Sequence, residues 1–221
     1  NHVNIAGVYE DLDQPIYILQ NAHIDISTRI GVEVNGIMGS RFFENQMIEM
    51  DFQKHRITLY PRANKPKGLE KMQRLPLDIL NSRPYTSVAF KQGDVAIDGR
   101  VLIDMGNSDA LMLIPSKLNN FDIKPPFIDD YIGQGFNGEI YGKRNRIRSL
   151  ELGPFTMDYP LVAYPELSSL QHATFVSERV GSIGNELLRR FKVVFDYPNK
   201  SIYLHKNKDF DRFYYLNMSG L

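Results

Sequence analysis

Hydrophobic and polar residues alternate over many short stretches of this chain, as in β-strands that bury one face. The stretches that read as strands, either because they alternate or because they are short apolar runs, are 47–52, 56–60, 86–90, 95–104, 110–113, 147–152, 160–164, 192–197 and 201–205. A sustained helical period is not evident, and 68–80 is the best candidate for a helix or a linker. A turn is expected at Asp98-Gly99, inside one of the stretches. The pattern predicts an all-β protein.

Two segments of the chain repeat each other at one offset, 181 − 36 = 145 residues. Segments 36–60 and 181–205 align without a gap. Each contains a Gly-x-x-Gly, and the residues after it predict a short helical turn and a β-hairpin. The identical pairs are Gly36/Gly181, Gly39/Gly184, Asp51/Asp196, Ile57/Ile202 and Leu59/Leu204. A fixed offset over such a length indicates two copies of one structural unit. We expect residues 1–75 to form the latter part of a first lobe plus a linker, and residues 76–221 to form a second lobe.

The stretch 102-LIDMGNSDALML-113 places an Asp-x-Gly-x-Ser motif between two apolar runs. Asp104 has two interpretations, an ordinary turn residue after a strand or a catalytic carboxylate held in a loop. The motif alone favours the turn. The downstream Gly-x-x-Gly, helical turn and hairpin favour the catalytic interpretation, because they follow the motif in a recognisable order.

This stretch resembles the corresponding part of the pepsin-like and retropepsin-like aspartic peptidases. Three further stretches carry the resemblance: 131-YIGQGFNG-138, 150-LELGPF-155 and 180-VGSIGNELLRRFKVVFDYPNKSIYL-204. More narrowly, the sequence is similar to the bacterial bilobed relatives of the retroviral type. The resemblance covers most of 82–205, and a truncated second copy covers 5–60. It implies a pepsin-like, double-lobe β-barrel fold in which the second lobe is complete and the first is partial.

The resemblance also implies a reaction, the hydrolysis of peptide bonds by a water molecule that two aspartates activate. Asp104 would be one member of this pair. Two carboxylates a few ångström apart cannot both ionise, so they share a proton. The charged member then acts as a base toward the water, and the protonated member donates to the substrate carbonyl.

The resemblance assigns supporting roles around Asp104. Gly106 would let the backbone turn tightly beside it, and Ser108 would hydrogen-bond its carboxylate. Ile183 and Gly184 would lie on a strand that braces the loop from below. No metal and no cofactor is implied, and the expected partner is a peptide or protein substrate.

The resemblance also implies a glycine-rich hairpin that folds over the substrate cleft. Its candidate residues are Tyr131, Gly133, Gly135 and Tyr141. The alternative that this is a loop without substrate contact stays open. The same stretch, 133-GQGFNG-138, matches the dinucleotide fingerprint G-x-G-x-x-G, but that fingerprint requires a following helix. The sequence after it contains Gly142 and then alternates like a strand, which disfavours nucleotide binding.

Two positions depart from the family pattern. Met105 stands where the family usually has Thr or Ser, whose hydroxyl bonds across the lobe interface, and Asn107 replaces a small residue. These departures leave a second function open, that of a catalytically degenerate peptide-binding or scaffold protein with the same fold.

The second aspartate of the pair has no place in the printed sequence. The counterpart of Asp104 would fall at 104 − 145 = −41, so we expect an upstream segment of the natural protein to carry it. The alternative is a homodimer in which two copies of Asp104 meet. The internal repeat makes the homodimer less favoured, because the chain supplies its own pseudo-symmetric partner.

Composition and motif spacing disfavour several classes of function and of binding site. Lys plus Arg and Asp plus Glu both number 26, and this balance argues against nucleic acid as a partner. Without cysteine, disulfides, thiolate metal sites and cysteine nucleophiles are excluded. The five histidines lack metal-ligand spacing. Ser108 lacks a G-x-S-x-G elbow, and no apolar run is long enough to span a bilayer. The compartment is unknown, although the resemblance leans toward a periplasmic or secreted protein.

Overall fold

The computed structural model describes residues 2–5, 9–13, 15–18, 27–28, 31–61, 64–93, 95–119, 121–135, 138–170 and 178–216. Strands dominate these residues, and five helical segments among them are single turns. The prediction of an all-β protein is therefore confirmed.

The strands of the first 80 residues are short. They are β1 (Val3–Ile5), β2 (Tyr9–Asp11), β3 (Met47–Asp51), β4 (Arg56–Tyr60), β5 (Gln73–Pro76) and β6 (Asp78–Leu80). Longer strands follow. They are β7 (Arg83–Gln92), β8 (Val95–Ile103), β9 (Leu111–Leu113), β10 (Ile128–Gly135), β11 (Gly138–Arg146), β12 (Ser149–Leu152), β13 (Phe155–Asp158), β14 (Leu161–Pro165), β15 (Gly181–Ile183), β16 (Phe191–Asp196) and β17 (Ser201–Lys206).

The helical segments cap or connect strands. The 3-10 turns are Ser40–Phe43, Leu69–Lys71, Pro115–Lys117 and Leu167–Leu170, and the α-helical turn α1 is Asn185–Leu188. The turn α1 begins at Asn185, and its N-cap residue is Gly184.

A ten-stranded mixed sheet forms most of the second half of the chain. Its order is β10-β11-β14-β9-β15-β8-β7-β12-β13, and β6 pairs with β7. The short strand β15 lies between β8, to which it is parallel, and β9, to which it is antiparallel. Two strands that are joined by one loop are thus separated by a third strand from far along the chain.

A second sheet has the order β4-β3-β16-β17-β5, with β16 at its centre. Every β16 residue from Val193 to Asp196 is buried, because both faces of the sheet are covered. One face contributes Ile48, Val193 and Leu204 to the main core, which it shares with the ten-stranded sheet. The other face packs with a smaller cluster around Met47.

The pairing of β3 with β16 is symmetric under the offset found in the sequence. Glu49 faces Val194 directly, and 194 − 49 = 145. Met47 pairs with Asp196, and their counterparts at that offset, Lys192 and Asp51, also pair with each other. The two segments therefore meet about a local pseudo-two-fold axis, although gene duplication itself stays a prediction.

The turns of the two hairpins are also alike. Asp51 accepts a hydrogen bond from the Lys54 amide at 3.1 Å, and Asp196 accepts one from the Asn199 amide at 3.1 Å. Both aspartates therefore cap the turns of their hairpins.

Tertiary pairing overrides two local predictions. Residues 68–80 form a 3-10 turn followed by β5 and β6, because β5 pairs with β17. The Asp98-Gly99 dipeptide makes no turn and lies within β8, which pairs with β7 from Val95 to Leu102. The expected division at residue 75 falls inside β5, and the division into lobes stays a prediction.

A buried arginine holds the C-terminal segment of the described chain. The Arg190 guanidinium donates to the carbonyls of Asp209, Phe210 and Arg212, and its carbon lies 3.5 Å from the centre of the Tyr214 ring. It also donates to the Glu186 carboxylate at 3.0 Å. The carbonyls that it satisfies would be left without this donor if the side chain were removed.

Replacing Arg190 by alanine is expected to lower the free energy of unfolding by about 3 kcal/mol, since buried acceptors and the Glu186 carboxylate lose their partner. Arg189→Ala is the matched control. Arg189 pairs with the same carboxylate at 2.9 Å from a half-exposed position, so its loss should cost less than about 1 kcal/mol. Urea unfolding followed by circular dichroism measures both, and equal costs would contradict this account.

Candidate active site

Asp104 is the first residue of the loop 104–110 that joins β8 to β9, here called the Asp104 loop. Its amide donates to the Ile183 carbonyl at 2.9 Å, so the residue is held where the β8–β15 pairing ends. The Asn107 amide donates back to the Asp104 carbonyl at 3.1 Å and closes a tight turn. The hydrogen bonds of this turn therefore fix the position of the Asp104 backbone, from which its carboxylate extends.

The Asp104 carboxylate is partly exposed and accepts a hydrogen bond from the Gly106 amide at 3.0 Å. Gly106 does not adopt the left-handed conformation, so the turn does not demand glycine for its φ angle. A Cβ at this position would lie 3.3 Å from the Asp104 Oδ1 atom, a tight contact. Ser108 is exposed, and within the described residues its expected hydrogen bond to the carboxylate is not formed.

Ile183 and Gly184 lie directly beneath the Asp104 loop. Ile183 is fully buried, and the Gly184 amide donates to the Ala110 carbonyl at 3.2 Å. A Cβ on Gly184 would overlap the carbonyl oxygens of Asn107 and Asp109. Glycine is therefore required here because the loop backbone passes too close for any side chain.

Asn107 makes three further hydrogen bonds, one to β15, one within the Asp104 loop and one to α1. Its side-chain amide donates to the Ser182 hydroxyl at 3.2 Å, and its side-chain oxygen accepts from the Asp109 amide at 2.9 Å. Its carbonyl accepts from the Asn185 amide at 2.7 Å. In the sequence Asn107 stands out as a departure from the family pattern. An asparagine whose side-chain oxygen accepts from the amide two residues later is nevertheless a known turn-forming signal.

Met105 is partly buried and packs against the main core. A thioether has no proton to donate, so this position cannot form the hydroxyl-mediated bond that the family resemblance implies. Its apolar contacts instead anchor the turn from the side of the core.

Arg179 is a cation near the Asp104 loop that the sequence did not single out. Burial lowers the pKa of its guanidinium, and the electrostatic influence of Tyr85 and Asp104 acts in the opposite direction. It precedes β15 by two residues, and only the folded chain brings it within electrostatic range of Asp104.

Strands β10 and β11 form the predicted hairpin, called the 128–146 hairpin below. Tyr131 and Tyr141 face each other across it with ring centres 5.5 Å apart. Gly133 follows a bulge, and a Cβ built on it would have no atom within 4 Å, whereas a Cβ on Gly135 would lie 3.3 Å from Ile140. A strand and not a helix follows the glycines, so the context that a dinucleotide site requires is not met.

Within the described residues, no three His, Asp or Glu side chains form a cluster that could hold a metal ion. Across the same part of the chain, no helix is long and apolar enough to cross a membrane.

The chain was compared with known proteins. No family model matches it, and no curated protein matches it. It is similar in structure to a retropepsin-like aspartic protease from Rickettsia conorii, with a TM-score of 0.40 and 16% identity over 60% of this chain and 89% of that chain. At this level the likeness carries no functional inference, which has to come from the residues of this chain.

Gly184→Ala is expected to lower the free energy of unfolding by about 2 kcal/mol or more, because the added methyl group overlaps loop backbone that cannot move aside freely. Gly39→Ala is the matched control, since Gly39 is the counterpart of Gly184 at the 145-residue offset and has no atom within 4 Å of its virtual Cβ. In the 221-residue chain the control should change stability by less than about 0.5 kcal/mol. A Gly184→Ala protein as stable as the control would show that the loop is not clamped.

Proposed function

We propose that this protein is an aspartic-type endopeptidase in which Asp104 is one of two catalytic carboxylates. The observation that carries the proposal is the clamp on the Asp104 loop. A partly exposed carboxylate follows a buried strand, and backbone bonds to Ile183 and Gly184 hold its loop on both sides. Such preorganisation suits a group that must keep its position during proton transfer.

The reaction needs a second carboxylate close to Asp104, since one member activates water while the other donates a proton to the substrate carbonyl. Asp104 begins the one Asp-x-Gly sequence in the 221 residues. The second carboxylate would come either from a second Asp-x-Gly loop related to the first or from Asp104 of a second copy of the chain.

The segment 36–39 supports the same proposal. It is the counterpart of 181–184, whose strand β15 lies buried between β8 and β9. In 36–39 the equivalent side chains are exposed, Ile37 to 64% and Met38 to 61%. Two flanking strands joined by a second Asp-x-Gly loop would cover these apolar side chains as β8 and β9 cover β15.

The pairing of β3 with β16 favours a single bilobed chain over a homodimer. A strand has two edges, and those of β16 are taken by β3 and β17. A second copy of the chain cannot pair with β16 in that position unless it displaces β3. The symmetric register of β3 and β16 instead supports two halves of one chain meeting about the local axis.

A second candidate function is peptide binding without cleavage. Met105 favours it, because the position that supplies an inter-lobe hydroxyl in the resembling family is filled by a side chain packed against the core. The absence of a Ser108 bond to Asp104 points the same way.

Asp104→Asn is expected to reduce cleavage of an unfolded protein substrate at acidic to neutral pH by at least about 100-fold, since an amide provides neither the base nor the acid. The assay uses the full-length gene product and measures cleavage with and without pepstatin. Asp98→Asn is the control, because Asp98 is an exposed carboxylate on the strand that leads to the loop.

Cleavage that survives Asp104→Asn would contradict the proposal. Peptide binding without turnover in the unaltered full-length protein would instead support the binding function.

A further inference from the structure

Arg144 joins the 128–146 hairpin to the Asp104 loop. Its guanidinium donates to the Asp109 carboxylate of the loop through a close contact, and to the Asp130 carboxylate of β10 at 2.8 Å. Arg144 itself lies on β11, where it pairs with Ile128 and Ala163. One planar side chain thus bonds two carboxylates from two different parts of the fold, which a guanidinium does better than an ammonium group.

The bridge is buried. The side chains of Arg144 and Asp109 are exposed to only 11% and 7%. The second carboxylate oxygen of Asp109 is buried and has no hydrogen-bond partner among the described residues. Burial raises the pKa of Asp109, and the Arg144 guanidinium opposes this change. Burial alone would lower the pKa of Arg144, but its pairing with Asp109 and Asp130 raises it.

Asp109 is fixed to the rest of the loop through its backbone. Its amide donates to the Asn107 side chain, and a Cβ on Gly184 would overlap its carbonyl. The Asn107 amide in turn closes the turn on the Asp104 carbonyl. Asp109 is therefore connected through Asn107 to the same turn that holds Asp104.

The residue before Arg144 on β11, Lys143, forms an ion pair of a different kind. Lys143 donates to Asp129 at 2.8 Å, but both side chains are exposed, and the pair connects the hairpin only to itself. Water can replace either partner there at little cost. Water cannot reach Asp109 in this way, so the Arg144 bridge resists separation.

We propose that Arg144 is a positioning residue that couples the 128–146 hairpin to the Asp104 loop. Movement of the hairpin on a bound peptide shifts Arg144, and the buried pair with Asp109 passes that shift to the turn that carries Asp104. The consequence for catalysis rests on the proposed function, whereas the coupling is a property of the folded chain.

Hydrogen exchange with mass spectrometry tests the coupling without requiring activity. Asp130→Asn is the decisive variant, because Asp130 contacts Arg144 from the hairpin, and a partly exposed position tolerates an amide. We expect faster exchange in peptides containing 104–110, on the order of tenfold, as well as in β10. In an Arg144→Gln background the same substitution should add nothing in 104–110, because the connection is already broken.

Lys143→Gln is the control and should leave exchange in 104–110 unchanged. If Asp130→Asn changes exchange in the hairpin alone, or acts equally in both backgrounds, the coupling is wrong. If Arg144→Gln does not fold, the comparison of Asp130→Asn with Lys143→Gln still decides whether the hairpin and the loop are coupled.

In an active full-length enzyme, Asp130→Asn should lower kcat while Lys143→Gln does not. Absence of cleavage in every variant, including the unaltered protein, would count against the peptidase and leave the exchange result valid.

Discussion

The insertion of β15 between β8 and β9 is the constraint on which the rest of the structure depends. Two strands joined by one loop would ordinarily pair with each other, but here a third strand separates them and bonds to both. Gly181 and Gly184 make this possible, because a Cβ on either would overlap neighbouring backbone carbonyls. The ends of the Asp104 loop are therefore held apart and fixed, which places its carboxylate at one defined point above the core.

The inserted strand β15 also connects the two sheets along the chain. The turn α1 follows β15 immediately and leads into β16, the buried centre of the second sheet. The Asp104 loop is in this way linked by a few residues to the local pseudo-two-fold axis between Glu49 and Val194. A second loop related by that axis would approach the first from the side of segment 36–39, where apolar side chains are exposed.

The sequence predicted those features that depend on local pattern. The alternation predicted strands, and the resemblance placed Ile183 and Gly184 beneath the loop, whereas the close approach of the loop backbone to Gly184 is seen only in the structure. The Asp98-Gly99 turn was wrong because pairing with β7 outweighs a local turn preference. The bridge between Asp109 and Arg144 could not be predicted, because 35 residues separate the partners and neither belongs to a motif. The same holds for Arg179, whose nearness to Asp104 arises only when β15 is inserted.

A crystal structure of the full-length protein with a non-cleavable peptide analogue, in which a hydroxyl group replaces the scissile carbonyl, tests the central claim most directly. The account predicts that this hydroxyl lies within hydrogen-bond distance of the Asp104 carboxylate and of a second carboxylate opposite it, beneath the 128–146 hairpin. An analogue bound elsewhere, with Asp104 facing open solvent, would contradict it.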